Sequence, residues 1–179
     1  EVSVLAINYE FSAQNLIGPY YQSYNGLGWA QLYYANQFLE PTMTYKRDSL
    51  RQESRMFFNK ALFNLNSQSS NLNILSQDRC DIYSGLSYVH YYDGLNSSIF
   101  DSSLISSALL LNECPEYNFS HDEIDFRNIH YLRGKIYLFN NDYQQACIEI
   151  NQANQCQCDI DNLDISILLD CFNQFSNEE

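Results

Sequence analysis

The sequence predicts an all-α fold of antiparallel helix pairs, preceded by an extended or strand-like arm. Three observations predict it. Apolar residues recur at helical spacing, as in Phe58, Ala61, Leu62 and Leu65. Short polar, Pro-containing or Asn-rich segments punctuate stretches of helix length. Strand-like alternation occurs at the start of the chain, in Leu5, Ile7, Tyr9 and Phe11.

The elements follow in order. Residues 1–25 are expected to form an N-terminal arm. A lone strand in a helical protein needs a partner for its edges, which another subunit could supply. The alternative is a short helix capped by Ser3 and ended at Gly18-Pro19. From Gly26 onward the helical signal takes over, with Trp29, Leu32 and Tyr33 on one face. Glu40-Pro41-Thr42 reads as a linker, and the helix through Phe58 and Leu65 follows it. A Ser/Asn-rich loop covers roughly 66–76. The next pair spans about 78–93, with Ile82, Leu86 and Val89, and about 99–112, with Leu104, Ile105, Ala108 and Leu109. Pro115 ends it. Ser120 and Glu123 have capping-box spacing for a helix that buries Ile129, Leu132, Ile136 and Phe139. Asn140-Asn141-Asp142 reads as a tight turn into a partner helix with Tyr143, Ala146, Cys147 and Ile150. Ile165, Leu168, Leu169, Phe172 and Phe175 make a last amphipathic helix, with Asp161 and Asp164 at the positive end of its dipole. The expected organisation is therefore an arm (1–25), three helix pairs (26–158) and a C-terminal capping helix with its tail (159–179).

Composition narrows the function. The chain has 179 residues, enough to bury about 70% of the surface its unfolded form exposes. Its 15 Tyr and 11 Phe can fill a core and still leave amphipathic rings for an interface. The net charge of −13 lies wholly beyond residue 70, because five acids balance five bases before it. Such a chain repels phosphate backbones and anionic lipid, so neither nucleic acid nor a membrane surface is an expected partner. No apolar run approaches the ~18 residues needed to span a bilayer. Neither a basic segment nor an apolar run marks a signal peptide, and a chain starting at Glu1 is expected to be processed or trimmed.

Three successive helix pairs invite a search for an internal repeat. The third pair reads Gly134-Lys-Ile-Tyr137, then Asp142-Tyr143-Gln-Gln-Ala146, then Ile150-Asn-Gln-Ala153. This pattern resembles the tetratricopeptide repeat, with its small–aromatic–small spacing. Gly134 would let two helices approach, Tyr137 and Ile150 would fill the gap, and Ala146 and Ala153 would admit the next helix. Gly85, Tyr88 and Ala108 repeat the pattern with a longer turn. Gly28 and Ala61 repeat it with an insertion around Pro41–Gln52. Arg133 stands where the family usually has Leu. The resemblance covers about residues 26–154 and implies a right-handed stack that binds peptides or proteins without catalysis.

Six cysteines stand at 80, 114, 147, 156, 158 and 171. In an antiparallel pair the start of the first helix lies beside the end of the second, so Cys80 and Cys114 could meet. The spacing of Cys147, Cys156 and Cys158 is similar to that of disulfide-bridged, cysteine-rich relatives of the tetratricopeptide repeat, which are secreted. That resemblance implies a Cys147–Cys156 or Cys147–Cys158 bridge, with Cys171 taking the remaining thiol. Sequons at Asn96 and Asn118 join the even cysteine count in favouring a secreted, glycosylated protein. Reduced thiols in a cytoplasmic array are the alternative. Zinc is not expected at Cys156-Gln-Cys158, because its single-residue spacing does not match zinc ligand pairs.

No phosphate loop or nucleophile elbow is present. Glu123 and Asp125 read as cap and solvated face, and His130 as a packed core histidine. Asp159, Asp161 and Asp164 lack the Gly and terminal Glu of a calcium loop. No catalytic residue, cofactor or metal is therefore expected. The candidate interaction surface is the basic stripe Arg47, Arg51 and Arg55, together with Tyr20, Tyr21, Tyr33, Tyr34, Tyr91 and Tyr92. The expected function is a non-catalytic interaction scaffold that takes a protein or peptide partner. The alternative is a subunit of a secreted homopolymer, joined through its arm or by charge between copies.

Overall fold

A computed structural model describes residues 21–38, 40–67, 74–115, 117, 119, 124–154 and 158–176. The described residues are all-helical, as the sequence predicts. The helices are α1 (Tyr21–Asn36), α2 (Thr44–Ser67), α3 (Ile74–Ser97), α4 (Asp101–Glu113), α5 (Phe126–Phe139), α6 (Tyr143–Asn154) and α7 (Ile165–Ser176), with a short 3-10 turn at Pro41–Met43. The chain divides into two compact units, Glu1–Asn118 and Phe119–Glu179. The strand-like alternation in the arm lies outside the described residues. α1 starts at Tyr21, ahead of Gly26 where the sequence places the onset of helix.

In the first unit, cross-helix contacts fix the direction of each neighbour. Tyr24 stacks with Phe57, the Ser54 hydroxyl donates to the Gly28 carbonyl, and Arg51 donates to Asn36. Rising numbers on α1 meet falling numbers on α2, so the pair is antiparallel. Asn66 with Arg79 and Asp93 with Arg55 make α2 and α3 antiparallel in the same way. α1 and α3 then run parallel, and Tyr21 meets Asp78 where Asn25 and Trp29 meet Asp81.

Phe58 sits at the centre of this arrangement and is fully buried. A Cβ on Gly28 would come within 2.7 Å of its ring, and one on Gly85 would come closer still. The two glycines therefore let α1 and α3 close on Phe58 from two sides. The Trp29 ring meets Phe58 edge-on, with centroids 5.5 Å apart.

α3 and α4 close through serines, and this differs from the sequence expectation. Ser103, Ser106, Ser107 and Leu110 are buried, while Ile105 is 61% exposed. The Ser103 hydroxyl donates to the Ser87 carbonyl across the pair at 2.8 Å. Small hydroxyls let the backbones approach and satisfy their own polarity, which pushes the bulkier Ile105 outward.

In the second unit, Asp125 caps α5. Its carboxylate accepts from the Arg127 and Asn128 amides, and the Asp125 amide in turn donates to the Asn128 side-chain oxygen. The helix thus starts later than Ser120 and Glu123 predict, and those two residues lie outside the described ones. Asn141 turns the chain at φ 59°, a conformation that Asn tolerates through its short polar side chain. Ala146, Cys147, Ile150 and Ala153 face inward as predicted, and Gly134 is buried against Phe172 and Glu149. Two residues depart from the predicted core. Phe139 is 52% exposed because it ends its helix, and α7 buries Leu168, Cys171 and Phe172 while leaving Ile165 and Leu169 outside. The disulfide-bonded Cys171 rotates that helix away from the purely apolar face.

Cys80 bridges Cys114 with Cα atoms 5.9 Å apart, and Cys147 bridges Cys158 at 5.7 Å. Cys156 lies outside the described residues. Loop-closure entropy gives about 3–4 kcal/mol for the first bridge, with its separation of 34 residues, and about 2–3 kcal/mol for the second, with a separation of 11. Denaturant midpoints should therefore fall further in a Cys80→Ser/Cys114→Ser variant than in a Cys147→Ser/Cys158→Ser variant. Equal losses would mean that loop entropy is not the controlling effect.

Candidate functional site

Two buried polar constellations and one half-buried one stand out, the first centred on Asp81. The Asn25 side chain donates to Asp81 Oδ2 at 2.5 Å and Trp29 Nε1 donates to the same oxygen at 2.9 Å. The Tyr117 hydroxyl donates to Oδ1. One carboxylate thus ties α1, α3 and the segment after α4, beside the Cys80 bridge. Tyr21 reinforces the same edge by donating to Asp78 at 2.7 Å. Burial first, and the Asp78 bond second, push the Tyr21 phenol up to about 12.

The second constellation joins α5 to α6. Arg133 Nε donates to Glu149 Oε1 at 2.8 Å, and His130 Nδ1 lies 2.7 Å from Oε2. Arg133 stacks near Tyr137, 5.8 Å from the ring centre. His130 is thus tied to Glu149 across the helix pair and is only partly buried, where the sequence suggests a packed core residue. Arg133 thus neutralises Glu149 across the pair.

The third constellation holds the basic stripe, which faces α3. Arg55 pairs with Asp93 at 2.6 Å, and the Arg51 guanidinium lies 3.7 Å from the centre of the Tyr92 ring. Arg47 approaches Asp48 only to 3.8 Å. All three arginines are half-buried.

The predicted tyrosine surface is mostly engaged within the first unit. Tyr21 is buried and does not belong to any surface. Its phenol is long enough to reach Asp78, and α1 carries it inward. Tyr33 stacks on Trp29, and Tyr34 meets Phe38 edge-on with Lys46 above both rings. Tyr91 packs against Tyr92 and Phe100. Tyr20 and Asn118 lie outside the described residues, while Asn96 is exposed at the end of α3.

Sequence reasoning placed Phe58 on the apolar face of its helix but missed Asp81 and Glu149. A signal existed for both, since each is an acid set among buried residues: Asp81 between Cys80 and Ile82, and Glu149 between Cys147 and Ile150. It also missed an exposed apolar stripe on α2. Tyr45, Met56 and Phe63 are 89%, 43% and 74% exposed. They share a face because steps of eleven and eighteen residues are close to three and five turns at about 3.6 residues per turn.

Among the described residues no group of three His, Cys, Asp or Glu side chains could hold a metal ion, and no helix is long and apolar enough to cross a membrane. These features define a disulfide-stapled protein of antiparallel helix pairs. No family model matches the chain, nor does any curated protein or solved structure.

Proposed function

We propose that this chain is a non-catalytic protein-interaction scaffold of the tetratricopeptide-like class, working in an oxidising, extracellular setting. The observation that carries this reading is the alternation in the first unit. Antiparallel pairs place their leading helices, α1 and α3, parallel and side by side, closed by Gly28 and Gly85 on Phe58. Stacked pairs joined by small residues are how helical repeats build extended binding faces. The buried carboxylates support the same reading, since Asp81 and Glu149 are occupied in joining helices. The disulfides support the oxidising setting.

A peptide array followed by titration of the recovered peptides is expected to give saturable, one-to-one binding. An array with no saturable ligand would remove the scaffold reading. The second reading, a subunit of a homopolymer, is favoured by the Tyr45, Met56 and Phe63 stripe, which is of the kind that interfaces cover. Light scattering after size exclusion, with negative-stain imaging, decides it, and a single monomeric species at high concentration would exclude it.

A further inference from the structure

The turn from α3 to α4 carries a sequon, Asn96-Ser97-Ser98, whose middle residue is not proline. The five residues from Leu95 to Ile99 are all exposed, between a buried Gly94 and a buried Phe100. The Phe100 ring packs directly on Gly94, where a Cβ would collide with it. That contact pins both ends of the turn and holds the segment between them out in solvent. Ser98 lies at φ 59°, so the helix has ended by the residue two beyond Asn96.

The polar groups of the turn differ in what they do. The Ser97 hydroxyl is occupied: it donates to the Asp93 carbonyl at 3.0 Å and accepts from the Ile99 amide at 3.3 Å. The Ser98 amide donates to the Gly94 carbonyl at 2.7 Å and closes the helix. Among the described residues, neither the Asn96 side-chain amide nor the Ser98 hydroxyl has a hydrogen-bond partner. These are the two groups that the acceptor motif for N-glycosylation needs, and the fold leaves both available. Leu95 and Ile99, on either side, are 48% and 67% exposed. Two large apolar side chains beside an unengaged Asn make a surface that a bulky, solubilising group would cover.

We propose that Asn96 is an N-glycosylation site and that its glycan covers Leu95 and Ile99. The proposal rests on the extracellular reading, because the transferase acts on secreted chains. The donor is an oligosaccharide carried on a lipid diphosphate. The Asn96 amide nitrogen bonds to the anomeric carbon of the first sugar as that carbon's bond to the diphosphate breaks. The lipid diphosphate leaves with the bonding electrons, and the amide nitrogen loses one proton to a base on the transferase. In the folded chain the glycan projects from the turn that joins α3 to α4. It keeps that turn out of close contact with a partner, so a peptide or a further copy docks elsewhere on the first unit.

The test uses the whole chain secreted from a eukaryotic host, with Asn118→Gln throughout so that position 96 is read alone. Its intact mass is expected to exceed that of the bare chain by one glycan. Enzymatic release in heavy-oxygen water should leave a labelled aspartate at position 96. Asn96→Gln and Ser98→Gly should each abolish the glycan. Ser98→Gly separates the motif from the fold, since glycine accepts φ 59° more readily than serine. Its thermal midpoint should be no lower than that of Asn96→Gln. Ser97→Ala, which alters the middle position, should keep the glycan. Occupancy that survives Ser98→Gly would overturn the site. So would a bare Asn96 in a secreted chain whose Cys80–Cys114 bridge has formed, and that result leaves the oxidising setting standing. Free thiols at Cys80 and Cys114 in the secreted chain would remove the setting, and the proposal with it. Releasing the glycan from the folded chain should raise self-association, read by light scattering, and Leu95→Ser with Ile99→Ser should abolish that rise. No rise would overturn the covering role.

Discussion

Replacing Phe58 by Ala is expected to cost about 3–5 kcal/mol of folding stability, toward the upper end of that range. Truncating a buried ring removes its transfer energy and leaves a cavity whose cost depends on how far the surroundings collapse. Here they can collapse little. The ring is fully buried, and the backbones of Gly28 on α1 and Gly85 on α3 close on it from two sides. A glycine has no side chain to swing into the space, and moving either backbone would pull apart a helix pair. Trp29, which meets the ring edge-on, is tethered by its bond to Asp81. A thermal midpoint lower by on the order of 10–20 °C follows from the usual entropy of unfolding for a domain near this size. The reciprocal change tests the same contact. Gly85→Ala should be severely destabilising in the wild type and much milder beside Phe58→Leu, where the smaller side chain makes room. Additive costs in that pair would show that Gly85 and Phe58 do not meet as described.

Asp81→Ala should be comparably damaging, at about 3–5 kcal/mol. Three donors converge on this carboxylate, from Asn25, Trp29 and Tyr117. Removing the acceptor strands them in a dry environment, where each unpaired donor costs about 1–3 kcal/mol. The total falls below a simple sum because the side chains can relax. Asp81→Asn keeps the shape but turns an amide donor toward other donors, so it should recover little. The Trp29 indole N–H is the specific reporter. Its NMR resonance should shift and its protection from exchange should fall in both variants, whereas Tyr117→Phe should weaken the hub without freeing the indole. An unchanged Trp29 signal in Asp81→Ala would show that the carboxylate does not organise this edge.

These two residues also mark how far the sequence could be read. The helix pairs, the Asn141 turn, the inward face of α6 and the Cys80–Cys114 bridge were all legible. They depend on local periodicity, turn chemistry and the rule that neighbouring helices in a short-looped pair run antiparallel. Glu149 and Asp81 were not legible as hubs, because an acid at a core position acquires its meaning only from donors on other helices. Arg47, Arg51 and Arg55 were visible as a stripe, and four-residue spacing correctly puts them on one face. Which way that face points is a question of helix rotation, set by competition with the apolar residues beside it.

The same competition explains the residues that turned the other way. On α4 the sequence favours burying Ile105, yet Ser103 and Ser107 take the inner face, because a close backbone crossing rewards small side chains that can donate to a carbonyl. On α7 a cysteine rotates the helix so that Ile165 and Leu169 stay outside. What the sequence by itself determined is the all-helical class, the pairing of neighbours and the turns, since each arises from residues near one another along the chain. What only the tertiary structure decided is the rotation of each helix and the pairing of its buried charges. Those depend on contacts between residues far apart in sequence, whose free energies are settled together and not one helix at a time.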